Sequence, residues 1–127
     1  MSSIPGSRLI DESLKLLDPD TYTADEVGAI LDVGSATMTA EFMVDVSALT
    51  VADHSYVARL EGSNESDFGS GVVELASRAL AATGRHVAGW NNVGPDGVRL
   101  RYVRLTLDVT GSTPSIAVSA AYLIPIR

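Results

Sequence analysis

The residues most able to do chemistry in this chain are two histidines, two short acidic stretches and a scatter of serines. His54 stands in "VADHSYV" and His86 in "RHVAGWNN", far apart in sequence and neither in a metal-ligand spacing. "DPDTYTADE" places Asp18 and Asp20 two apart, like the opening of a calcium loop. Such a loop needs glycine at its sixth position and an acid at its twelfth; here those are Thr23 and Ala29. "EGSNESDFGSG" gathers Glu61, Glu65 and Asp67 among Gly62, Gly69 and Gly71. The glycines do not match a phosphate cradle and no lysine follows. Paired catalytic carboxylates must face each other across a cleft, which one loop does not provide. Asn64-Glu65-Ser66 has the form of a glycosylation sequon, with nothing beside it that points to secretion. No serine sits in a Gly-x-Ser-x-Gly elbow; Gly69-Ser70-Gly71 reads as a turn. With no cysteine, thiolate chemistry and disulfides are excluded. The expectation is a protein that is not an enzyme and takes no metal or cofactor.

Binding chemistry is the better prospect. "GWNN" sets Trp90 beside Asn91 and Asn92, an aromatic and two amides that suit either a sugar or a protein surface. Arg99, Arg101 and Arg104 form the one basic cluster, with Arg99 and Arg101 on a common face at a spacing of two. On a chain of net charge −7 such a patch suits an acidic neighbour, another copy included. The same net charge repels phosphate backbones and anionic bilayers, so neither nucleic acid nor a membrane is expected. No apolar run approaches the roughly 20 residues that span a bilayer, and the first twenty residues lack the pattern of a signal peptide. A soluble protein made in the cytoplasm is expected.

The elements that must position these residues are short strands. Residues 1–20 read as an N-terminal arm and 21–127 as one domain, with 127 residues in all. In "SRLIDESLKLLDPD", Leu9, Ile10, Leu14, Leu16 and Leu17 predict a short amphipathic helix, or else an extended arm with Leu14 and Leu16 on one face. From Val27 onward the period becomes two. "GAILDVG", "TMTAEFMVDVS", "SYVARLEGS", "VVELAS" and "RHVAGWNN" alternate as strands, with Met43 the exception to the alternation in the second of them. "RYVRLTLDVTGSTPSIAVSAAYLI" predicts a closing antiparallel hairpin. Val103, Leu105, Leu107 and Val109 face inward, followed by Ile116, Val118, Ala120, Tyr122 and Ile124. Seven or eight such strands predict an all-β, two-layer antiparallel β-sandwich; without a cysteine pair, jelly-roll-like is favoured over immunoglobulin-like.

Several of these segments resemble a family. "DESLKLLDPDTYTADEVGAILDVGSA" is similar to the N-terminal arm and first strand of small jelly-roll head-decoration, or cement, proteins of tailed bacteriophages. Leu31-Asp32-Val33-Gly34 stands where they carry an "LDLG"-like strand. "MVDVSAL" resembles their second strand, "YVARLEGSNESDFGSGVVELAS" their third and fourth with the loop between, and "YVRLTLDVTGSTPSIAVSAAYL" their closing hairpin. The resemblance spans roughly residues 9–125 and is weakest over 78–96. It implies a virion protein on the outer surface of a capsid, bridging copies of the major capsid protein as a homo-oligomer, dimer or trimer. Leu9, Ile10, Leu14 and Leu17 of the arm, with Trp90, Arg99 and Arg101, are the candidate partner contacts. The alternative is a carbohydrate-binding β-sandwich module built around Trp90, Asn91 and Asn92.

Overall fold

The computed structural model describes residues 14–34 and 37–125. Ten strands follow in chain order: β1 (Lys15–Leu17), β2 (Asp20–Tyr22), β3 (Glu26–Val27), β4 (Leu31–Asp32), β5 (Thr39–Leu49), β6 (Ser55–Ser63), β7 (Val73–Ala79), β8 (Gly84–Asn91), β9 (Tyr102–Thr110) and β10 (Ile116–Pro125). They form two antiparallel sheets. Sheet A runs β1-β10-β5-β8 with β2 also on β10; sheet B runs β3-β9-β6-β7 with β4 also on β9. The two pack face to face as a β-sandwich with no α-helix among the described residues.

Strict alternation builds the core between the sheets. Ala40, Phe42, Val44 and Val46 of β5 meet Tyr56, Ala58 and Leu60 of β6 and Val103, Leu105 and Leu107 of β9, all buried. Each fully buried leucine or valine contributes about 1.5–3 kcal/mol over an exposed one. The sheets also meet along one flank. Gly28 N–H donates to Leu105 O (2.7 Å) and Ala29 N–H to Leu16 O (3.1 Å), tying sheet B to β1 of sheet A. A Cβ on Gly28 would lie 2.1 Å from Leu16 O, so only glycine permits this approach.

Three local expectations are decided. Lys15–Leu17 is a strand paired with β10, so of the helix and the extended arm the extended form holds for this part, and it belongs to sheet A. Leu16 and Leu17 are both buried, Leu16 at 0% exposure, and the irregular register between Lys15 and Leu17 marks a bulge in this short pairing. The closing segment is not a hairpin. β9 pairs with β6 in sheet B and β10 with β5 in sheet A, so residues 111–115 arch from one sheet to the other. Only β6 and β7, among the longer strands, form a hairpin; the links β5–β6, β7–β8, β8–β9 and β9–β10 all change sheet, the jelly-roll-like manner of winding.

The third change is one of phase. Ile116 and Val118 face the core as expected, but the register with β5 then slips: Val118 pairs with Val46 and Ala120 with Asp45. Ser119 is the extra residue of a β-bulge. Beyond it Ala121 and Leu123 face inward, while Ala120, Tyr122 and Ile124 turn to the outward face.

Candidate functional site

Two loops meet at one end of the sandwich: residues 64–72 between β6 and β7, and 92–101 between β8 and β9. Their backbones are held by asparagine side chains. Asn64 Nδ2 donates to Arg99 O and Asn64 Oδ1 accepts from Arg101 N–H, both at 2.9 Å. The amide thus acts as a strand neighbour for a segment that is not itself in a strand. Asn92 is fully buried. Its Oδ1 accepts from Met38 N–H (2.8 Å), its Nδ2 donates to Leu100 O (3.2 Å), and its backbone exchanges bonds with the same two residues.

Inside the first loop, Ser63 Oγ, also fully buried, donates to Ser70 O and accepts from Glu65 N–H. Phe68 takes a positive φ of 56° and tucks its ring under Arg104, whose guanidinium lies 4.3 Å from the ring centre and whose Nε binds Glu61 at 3.0 Å. In the second loop, Gly94 and Val98 close a turn in which Gly97 adopts a φ of 82°. Between the loops runs an open groove lined by Asn64, Glu65, Ser70, Asp96, Val98 and Leu100.

The basic cluster divides in function. Arg101 grips Asp32 of β4 through Nε and Nη2, at 2.9–3.2 Å. That hydrogen bonding, helped by Gly34 N–H, holds the Asp32 carboxyl below its ordinary value and raises Arg101 above its own. Arg104 is committed to Glu61 and Phe68. Arg99 is exposed and makes no ion pair among the described residues, although its carbonyl is pinned by Asn64. Next to it Val98 is 49% exposed. Arg99 and Arg101 therefore share an ordered loop end, but only Arg99 offers a free charge there.

The remaining candidates lie elsewhere. Trp90 sits in the core at 5% exposure, its indole N–H buried without an acceptor among the described residues. Asn91 is exposed and spends its Oδ1 on Val93 N–H. Neither the ring of Trp90 nor the amide of Asn92 is displayed. Leu14 packs half-buried against the core and Leu17 is buried within it; Leu9 and Ile10 lie outside the described residues. His54 ties its Nδ1 to Thr50 Oγ1 and its Nε2 to Thr113 N–H, bracing the 111–115 arch. His86 binds Ala82 O through Nε2. In the acidic stretch, Asp25 accepts from Val109 N–H and Asp18 pairs with Lys15. No group of three metal-binding side chains occurs among the described residues.

The residues that organise the loop end, Asn64, Asn92 and Asp32, were not among the sequence candidates for this role. The one available signal was position: an asparagine just past a strand end commonly bonds nearby backbone. A scan against protein-family models finds no match to this chain, and a search of curated proteins finds none either.

Proposed function

We propose that the protein is a structural virion component that binds the outer surface of a tailed-phage capsid and stabilises it by bridging major capsid subunits. The support is the family-like order of segments from the arm to the closing strands, set on a β-sandwich. The observation that carries the contact is the loop end: Arg99 and Val98 exposed on a backbone fixed by Asn64. A preordered charged tip loses little conformational entropy on docking, so its interaction with an acidic shell surface reports in affinity. Binding only the assembled, expanded lattice stabilises that lattice by mass action, and many identical sites multiply the effect.

The carbohydrate alternative rests on "GWNN", whose Trp90 and Asn92 are engaged inside the fold. The test is a binding assay of purified protein on expanded capsids that lack it, with Arg99→Glu alongside. Saturable binding that Arg99→Glu weakens about tenfold supports the reading. Binding to glycans in place of capsids would replace it.

A further inference from the structure

Each sheet ends in a long strand with no neighbour on its far side among the described residues: β7 in sheet B and β8 in sheet A. An open edge carries unpaired N–H and C=O groups and invites another strand unless something blocks it. β7 is blocked. Its pairing with β6 slips at Leu75, the extra residue of a bulge, and Arg78, in register with the buried Ala58, sets a charge on the inner side of the edge. β8 has neither device. It pairs with β5 from Gly84 to Asn91 without a slip, and it contains no proline. Just beyond the strand, Asn92 N–H donates to Met38 O. In an antiparallel ladder the direction of these groups alternates residue by residue, so those of Arg85, Val87, Gly89 and Asn91 point away from β5.

The same residues hold the outward side chains of β8, and their order is self-complementary. Arg85 lies beside Asp45 of β5, its Nε 3.0 Å from Oδ1, and Gly89 lies beside Glu41. Val87, between them, lies beside Met43. A second β8 turned about a two-fold axis through Val87 puts Val87 against its own counterpart, and Arg85 against Gly89 in both directions. Glycine leaves room there: a Cβ on Gly89 would meet nothing within 4 Å. Across that gap Arg85 faces Glu41 of the other copy. Their backbones lie two strand spacings apart, about 10 Å, a span that an arginine and a glutamate side chain cover together. On the core side His86 meets Ala88 and Trp90 meets Gly84, so each bulky side chain opposes a small one.

We propose that the β8 edge is the contact of a two-fold homodimer, in which sheet A of one copy continues into sheet A of the other through antiparallel β8–β8 pairing centred on Val87. The central row of the joined sheet is apolar, with Met43 and Val87 of one copy followed by Val87 and Met43 of the other. The row on either side alternates in charge, from Asp45 through Arg85 to Glu41. The dimer forms in the free protein and does not rest on the capsid reading.

The test is analytical ultracentrifugation of the full chain over a concentration series, with circular dichroism to confirm that each variant folds. The unsubstituted chain should sediment as a dimer that dissociates on dilution. Val87→Pro removes an N–H that makes no bond to β5, and should abolish the dimer while leaving the sandwich folded. Gly89→Lys sets a like charge against Arg85 twice per dimer and should raise Kd about tenfold; adding Arg85→Glu to it should restore the dimer. A chain that stays monomeric up to about 1 mM overturns the proposal. So does an assembly that Gly89→Lys leaves intact, or a folded double variant that stays weak. Amide hydrogen exchange of the unsubstituted chain gives a readout free of substitutions. The amides of Arg85, Val87 and Gly89 should be protected in the dimer and exchange freely after dilution. Their protection in a monomeric sample overturns the proposal in favour of another segment of the chain on this edge.

Discussion

Replacing Asn92 by leucine tests whether the loop end is held from inside. The substitution keeps most of the side-chain volume and removes both of its polar arms. Leu100 O loses its donor in a setting where Leu100 is 5% exposed, and Met38 N–H loses its acceptor at a half-buried site. An unsatisfied buried group costs about 1–3 kcal/mol. Taking about 2 for the enclosed carbonyl and about 1 for the more accessible N–H gives a loss of about 3 kcal/mol. With a urea m-value of about 1.5 kcal/mol/M, the unfolding midpoint falls by about 2 M. Asn91→Ala is the matched control. It removes a single bond to Val93 N–H at an exposed turn and should cost no more than about 0.5 kcal/mol. Equilibrium urea unfolding followed by Trp90 fluorescence reads both. A midpoint for Asn92→Leu equal to that of Asn91→Ala would refute the claim that this amide clamps β5 to the entry of β9.

Other perturbations follow from the same structure. Leu105→Asp sets a carboxylate at a position with 0% exposure and should cost at least about 4 kcal/mol, read as loss of soluble protein or a collapsed melting temperature. Gly111→Ala should destabilise by about 1–3 kcal/mol in thermal melts, because Gly111 has a φ of 133° and an added Cβ would lie 2.2 Å from His54 Cδ2. Asp32 should titrate below the ordinary aspartate range in a carbon-detected NMR titration. Its folded value is depressed, so the stability it contributes is present above the unfolded value of about 3.9 and is lost as pH falls through the folded one. Arg101→Ala should return the midpoint towards normal; an unmoved midpoint would deny the pair.

Where alternation is strict, the sequence was enough. The inward sets of β5, β6 and β9 follow from a period of two, because each has one face in a continuous core. Met43 is the exception in β5: it stands on the outward face, in register with Tyr122 and Val87, and is buried there all the same. Beyond Ser119 the reading failed, since a bulge is a single extra backbone residue and leaves the apolar pattern of Ala121 to Ile124 plausible in either phase. The supposed closing hairpin failed for a different reason. A glycine-containing link such as 111–115 specifies a reversal of direction, not whether the next strand stays in the same sheet. Trp90 was ambiguous because one aromatic on a short strand fits the core edge and an exposed patch equally well. For Arg99 and Arg101, spacing placed them together, but the partner that separates their roles, Asp32, comes from β4, far away in sequence.

The capsid reading is tested most directly by adding the purified protein to expanded tailed-phage capsids that lack a decoration protein. The expected result is saturable binding that raises the capsids' resistance to heat and is weakened by Arg99→Glu, a variant that itself melts like the original. Capsids that neither bind the protein nor change in heat resistance would contradict it.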